Sequence, residues 1–352
     1  MMKKATNTQK EKNIDSNIQN SNINNPSVIN TNSFWGRFLE KNEIKNILFI
    51  IAIGLILRIV FIAETAGIPF FRHLVSDSKI YNDWALGIAG KGNWNSPGSF
   101  FMAPFYPYFM GIIYMIFGES ITLVRVLQAL ISTANIFIIY LTGRRLINKN
   151  AGYIAASIAA LYKLYIFYSG IILSETLQTF AVSLLVLLLV TASADLKDNK
   201  KHISKWIWAG VLLGVSAIFR ANILLFLPFI AIWFLIIIKE NPHIKNYAYK
   251  ALLFFLLGTL IPILPVTLKN LVSGKEFVLL TSNGGINFYL GNNPDSPGVF
   301  QTPEEFDFSS DLSGQKYAEK ITGRKLTPAE ASSFWYKRGT DYISQDPGGA
   351  FL

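Results

Sequence analysis

The chain contains no cysteine, and its three histidines, His73, His202 and His243, are scattered. Disulfides, thiolate catalysis and cysteine metal sites are thereby excluded, and a histidine-based metal cluster is not expected. Charge is scarce too, with Asp, Glu, Lys and Arg making up only 15% of the residues. No GxxxxGK[ST] run is present, so the sequence does not imply ATP. No βαβ pattern of the kind a soluble nucleotide-sugar enzyme needs is visible either. Residues 1 to about 33 contain few large apolar side chains and are rich in Asn, Ser, Lys and Thr. They cannot bury a core and read as a disordered tail. The first apolar run comes only after residue 45, so the start carries no signal-peptide pattern. Trp35, Phe38 and Leu39, beside Arg37 and Lys41, suit a short interfacial helix leading into the membrane.

What the chain does have is apolar length. It is 51% hydrophobic, and its mean hydropathy of +0.35 averages an apolar middle with two polar ends. Apolar segments fall at about 46–64, 104–118, 121–142, 151–169, 174–193, 206–219, 221–238 and 248–268. Several reach or approach the ~20 residues that cross a bilayer, so the expected class is an all-α polytopic membrane protein. The segment from Pro104 to Phe117 gives only about 22 Å of helix against a core of ~30 Å. Its prolines and tyrosines suit a helix bound at the interface.

Charge placement decides between topologies. If 104–118 does not span and the N-terminus is cytoplasmic, the inside loops are the tail, Gly143 to Lys149, Asp195 to Lys205, and Lys239 to Lys250. All are basic, as the positive-inside rule requires. If 104–118 spanned, every later basic loop would move outside. The expectation is seven transmembrane helices in the cell membrane, a cytoplasmic segment 1–45, a membrane domain 46–268 and extracytoplasmic segments at 65–120 and 269–352. The net charge of +10 is then accounted for by basic inside loops rather than by a nucleic-acid partner.

The final segment is soluble in character, and a small mixed α/β unit is expected. Phe277 to Leu280 reads as a short strand, Asn283-Gly284-Gly285 as a turn, and Pro294 and Pro297-Gly298 as breakers. Thr327-Pro328-Ala329-Glu330 carries an N-cap, a proline at the first helical position and a capping-box Glu, predicting a helix to about Gln345. Ala350-Phe351-Leu352 reads as the start of another apolar run, so a longer protein is expected.

With this topology, charges gather on one side. Arg58, Lys163 and Arg220 lie in the outer halves or at the outer ends of spans; Arg125, Lys269, Glu64, Asp77 and Glu175 fall on the same side. Each cation alone could be snorkelling to lipid headgroups, above all Arg58 and Arg125 near helix ends. Lys163 stands among Tyr162, Tyr165, Phe167 and Tyr168, aromatics able to line a cavity. Together, cations holding a phosphate at headgroup depth and a carboxylate activating a nucleophile suit transfer from a lipid-linked sugar phosphate. Asp77 opens the helix-like run 76–85, in which Ile80, Trp84 and Ile88 share one face. Taken alone, Asp77 reads as a helix N-cap. Asp83 competes for the role of base, six residues further on, where a regular helix does not align the two.

Several runs, in this order, then carry a resemblance. They are Asp77 followed by Tyr81 and Trp84; Ala103-Pro104-Phe105-Tyr106-Pro107-Tyr108; Arg125 to Leu130; Gly143-Arg144-Arg145-Leu146; Leu173-Ser174-Glu175-Thr176-Leu177; and Phe219-Arg220-Ala221-Asn222. Asn287 to Pro294 adds to the series. Over about 46–300 the chain resembles glycosyltransferase family 39, the dolichyl-phosphate-mannose protein mannosyltransferase-like enzymes, and is similar to the aminoarabinose transferases of lipid A. The resemblance implies a GT-C membrane fold and inverting transfer from a polyprenyl-phosphate sugar to an acceptor hydroxyl on the outer face. It implies that Asp77 is the base, that Glu175 orients the acceptor or assists, and that 104–118 is a surface helix of the first outer loop. Tyr81, Lys163, Arg220 and Asp83 are the expected substrate-binding residues. Two departures stand out. The mannosyltransferases carry His-Pro-Pro where this chain has Ala103-Pro104-Phe105, and Asp77 is followed by Ser78 rather than a second acid. The first puts protein as the acceptor in doubt. The second weakens a bridging divalent metal, to which Asp83 or Glu175 could still lend an oxygen. No cofactor is required by the sequence. A secondary transporter is the alternative, but related halves and helices broken at mid-membrane, its expected marks, are not evident.

Overall fold

The computed structural model describes residues 41–92, 94, 98–197, 202–297, 301–302 and 304–351. The expected tail and the interfacial helix at Trp35 lie outside the described residues. The chain divides into two compact units, Met1–Asn46 and Ile47–Leu352, and of the first the described residues, 41–46, are helical. Five segments are long and apolar enough to cross a membrane: Asn42–Thr65, Ile121–Leu146, Glu175–Leu196, Ala221–Glu240 and Pro242–Gly274. A sixth arises if Lys149–Leu161 and Lys163–Gly170, which meet at a 49° bend, form one crossing. The chain is therefore a multi-pass membrane protein.

The helices in order are α1 (Lys41–Thr65), α2 (Pro69–Arg72), α3 (Ser76–Lys91), α4 (Phe105–Phe117), α5 (Ile121–Leu146), α6 (Lys149–Leu161) and α7 (Lys163–Gly170). There follow α8 (Glu175–Lys197), α9 (Ile203–Phe219), α10 (Phe226–Glu240), α11 (Lys245–Gly274), α12 (Gly284–Gly291), α13 (Gln315–Thr322) and α14 (Pro328–Gln345). As expected, α4 is too short to span: its 13 residues reach about 20 Å. It packs on α3, where Gly111 sits against Ile88 and a Cβ there would come within 2.8 Å of it. The buried stripe of α3 is Tyr81, Ala85 and Ile88. That is a one-residue rotation from the expected Ile80–Trp84–Ile88 face, because α4 presents a flat Gly111 to Ile88 and the ring of Tyr106 to Tyr81.

Backbone contact holds α9 to α11. A Cβ on Gly210 would lie 2.0 Å from the Phe255 carbonyl oxygen, and one on Gly214 would lie 2.3 Å from that of Thr259. Glycine spaced by four on a helix face lets two helices close in this way when lipid offers no hydrophobic drive. At 17 residues, α9 is about 25 Å long, shorter than the five candidate crossings.

The last segment differs from the expected α/β unit: no strand forms among the described residues, and the turn at Asn283-Gly284-Gly285 instead opens α12. The residues 277–280, read as a strand, form none. Asn270 Nδ2 donates to the carbonyls of Val278 (3.0 Å) and Leu280 (2.9 Å), and the Thr267 hydroxyl donates to Leu279 (2.7 Å). Asn270 Oδ1 accepts from Phe100 N, and Lys269 donates to the Gly98 carbonyl while lying over the Phe100 ring. Glu276 accepts from Ser99 Oγ with one oxygen and from the Ala329 N–H at the start of α14 with the other. The end of α11 thus clamps the segment after α3 to the C-terminal helices. The capping box predicted at Thr327 and Glu330 is formed.

Candidate active site

Four of the expected residues converge at one end of the bundle. Glu175 is the first residue of α8, where the helix dipole favours a carboxylate. Arg220 is the extended residue that ends α9 before the 3₁₀ turn Ala221–Leu225, and its Nη2 donates to Glu175 Oε1. The side chain of Glu175 is 23% exposed and that of Arg220 52%, so the pair is only partly buried. Tyr81 is buried, in one apolar cluster with Ile172 and Leu177 beside Glu175 and with Phe219 beside Arg220. Burial pushes its phenol up to about 12; the Asp77 charge adds to this, Arg220 pulls the other way, and Glu175 adds again. One hydroxyl therefore senses both carboxylates and the guanidinium.

Asp77 is exposed in the first turn of α3 and makes no hydrogen bond or ion pair among the described residues. It is not the N-cap: that position is Val75, with no side-chain cap bond. Ser76, directly before it, has φ +50°, a left-handed conformation costing a residue with a Cβ about 1 kcal/mol or more. The carboxylate is thus presented one turn before Tyr81, without a structural task of its own. Asp83 is engaged elsewhere, in an exposed pair with Lys79 at 2.5 Å.

Lys163 opens α7, exposed, without a hydrogen bond or ion pair among the described residues. The aromatics around it do line a cavity, but Lys163 is not part of that lining. Arg58 and Arg125 do not snorkel. Arg58 is fully buried and donates to Ser132 Oγ (2.8 Å) and to the carbonyls of Gly54 (2.8 Å), Ala160 (3.3 Å) and Ala159 (3.4 Å). The last two are carbonyls left open where α6 ends, so the guanidinium caps the bend. Arg125 donates to the Phe71 carbonyl and lies over its ring, tying α2 to α5.

Sequence reasoning missed Gln128. It is fully buried, accepts from the Tyr106 hydroxyl, and donates to the carbonyls of Ser169 (3.2 Å) and Ile171 (2.7 Å). With Thr176, whose hydroxyl donates to Tyr168 O (3.0 Å), it fixes the short connection that delivers Glu175. Its signal was an amide inside an apolar span. As for a metal, no three carboxylates or imidazoles gather among the described residues, and Asp83 points to its lysine. No step below is routed through one.

Residues 102–268 match the family model described as dolichyl-phosphate-mannose-protein mannosyltransferase. This stretch, just under half of the chain, is similar to that family. The resemblance read from the ordered motifs thus has an independent match over these residues, which are similar to a membrane glycosyltransferase family rather than to a transporter. The matched stretch contains Lys163, Glu175 and Arg220 and begins after Asp77, Tyr81 and Asp83. No curated protein matches the chain.

Proposed function

We propose that the protein moves a sugar from a polyprenyl-phosphate donor to an acceptor hydroxyl at the outer face of the membrane, with inversion. The observation that carries this reading is the Arg220–Glu175 pair beside Tyr81, one helical turn from an unengaged Asp77. Asp77 takes the proton of the acceptor hydroxyl as its oxygen attacks the anomeric carbon. The bond from that carbon to the phosphate oxygen breaks, and polyprenyl phosphate leaves with the electron pair. Arg220 has five N–H donors and uses Nη2 on Glu175, so others remain for the developing phosphate charge. Glu175 orients Arg220 and the acceptor. Lys163, exposed near a helix end, meets lipid headgroups or the donor. The acceptor class stays open between glycan, lipid and protein.

Full-length protein incubated with polyprenyl phosphates carrying hexoses and pentoses should release polyprenyl phosphate with at least one of them. No release from any donor would count against the reading.

The orientation belongs to the same proposal: seven crossings, with α9 as one, the segments 1–45 and the basic loops inside, and 65–120 and 269–352 outside, flanking the 46–268 membrane domain. Ser309 and Ser204 are both exposed. In intact cells Ser309→Cys should react with an impermeant maleimide and Ser204→Cys should not. Labelling of Ser204→Cys from outside would invert the assignment.

A further inference from the structure

The amide of Gln128 ties together two parts of the chain that flank the site. It stands fully buried on α5 and is engaged at both ends. The two Nε2 hydrogens go to the carbonyls of Ser169 (3.2 Å) and Ile171 (2.7 Å). Oε1 accepts from the Tyr106 hydroxyl of α4. An uncharged side chain of this length with two donors and an acceptor is glutamine alone. Other polar residues of α5 act more locally: the hydroxyls of Thr133 and Thr142 bond back to Ala129 and Ile138, one turn earlier in the same helix.

Each end of the amide leads to one half of the site. On the donor side, α7 ends at Gly170 and α8 begins at Glu175, so four residues connect them. Gln128 holds the first carbonyl of that connection, and Ile171 and Ile172 are buried. Thr176 ties the first turn of α8 back to Tyr168. A connection so short, held at both ends, leaves Glu175 and the Arg220 it binds little room to shift. On the acceptor side, Tyr106 packs edge-on against Tyr81, ring centroids 5.2 Å apart, and Tyr81 stands one turn after Asp77. The neighbouring Phe105 meets Phe219, next to Arg220, with centroids 4.4 Å apart. An amide that only satisfied stray carbonyls in lipid would need its donors alone. Here its acceptor takes a hydroxyl from another helix, the one against which Tyr81 packs.

We propose that Gln128 is a positioning residue: it sets the separation between the Asp77 turn of α3 and the Glu175–Arg220 pair. The inference rests on the transferase reading and adds the part that spaces its two halves. Inverting displacement needs the base and the phosphate ligand on opposite sides of the anomeric carbon, with the attacking atom about 3–3.5 Å from it. A misplacement of ~1 Å costs about 100-fold.

The test uses full-length protein in nanodiscs and reads distance and kinetics separately. The chain has no cysteine, so Lys79→Cys and Asn222→Cys, both exposed, give a unique pair of spin labels on α3 and just after Arg220. The distance distribution between them should be narrow in the otherwise native protein. Gln128→Met keeps the length of the side chain and removes its donors and acceptor; it should broaden or displace that distribution. Without the labels, and counted per folded protein, Gln128→Met should lower kcat about 10- to 100-fold and leave the donor KM within about 3-fold. Both halves of the site are still present in it, whereas Arg220→Ala loses a donor contact. Monodisperse elution reports folding. If Gln128→Met does not fold, Tyr106→Phe, which removes one hydroxyl and frees the ring, is read the same way. An unchanged distribution overturns the inference, and a kcat loss that merely tracks the folded fraction does the same, because the amide is then only structural. Turnover that survives a broadened distribution overturns it as well. Polyprenyl phosphate release with an unchanged distribution removes the positioning role alone. A distribution that depends on Gln128 without release from any sugar-bearing polyprenyl phosphate removes the transferase and leaves Gln128 as the spacer.

Discussion

Asp77→Asn should insert and fold normally while turnover with a competent sugar donor falls by at least about 100-fold. The substitution keeps the size of the side chain and removes only its capacity to take a proton. Folding should be spared because the carboxylate caps nothing and pairs with nothing among the described residues. The strained φ of Ser76 belongs to the backbone and is untouched. Asp83→Asn loses one exposed ion pair, worth at most ~1 kcal/mol, and should leave turnover within a few-fold. Steady-state release of polyprenyl phosphate by both variants is the measurement. A dead Asp83→Asn with an active Asp77→Asn would move the base to the other carboxylate. Activity in both would remove a carboxylate base at this helix.

The second large effect is expected at Arg220. Arg220→Ala should weaken donor use by about 10- to 100-fold, the range of one or two hydrogen bonds to a charged group. The half-exposed setting of the guanidinium argues against more. Glu175→Gln keeps an acceptor for Arg220 but not its charge, and should cost less. Because Arg220 and Glu175 touch, the two losses should not add: the double variant Arg220→Ala/Glu175→Gln should resemble Arg220→Ala alone. Lys163→Ala, at an exposed cation without a partner, should change donor kinetics by less than about 3-fold. Donor saturation curves for the four variants decide the matter. Strictly additive losses, or an unaltered donor KM in Arg220→Ala, would detach this pair from the phosphate.

The sequence was most informative where chemistry is periodic or costly. Basic-loop alternation argues against 104–118 as a crossing, and the 13-residue α4 is too short to be one. The order of short motifs led to the family. Less legible were features that depend on which neighbour arrives. The residues 277–280 have strand composition, yet Asn270 and Thr267 take their carbonyls before any strand can. On α3, hydrophobicity points to Ile80 and Trp84, but the opposing Gly111 and Tyr106 select Tyr81 and Ala85 for burial. Arg58 and Arg125 look like headgroup ligands because helix-end position is visible in a sequence, whereas the open carbonyls they bind are not. Asn135 and Gln128 were visible as polar residues in an apolar span; which of them finds partners was not.

The capped bend also bears on synthesis. Arg58 precedes the carbonyl-bearing residues Ala159 and Ala160 by 101 and 102 positions. When α1 leaves the ribosome, its guanidinium has the Gly54 carbonyl of its own helix and nothing yet from α6. An arginine at the centre of a nascent span costs ~2.5–3.5 kcal/mol on the insertion scale, and less toward the end of the span, where Arg58 stands. At ~5–20 residues per second, the relieving carbonyls follow only some seconds later. The first crossing is made by a strongly apolar helix, and its arginine gains its α6 partners only when that later helix docks.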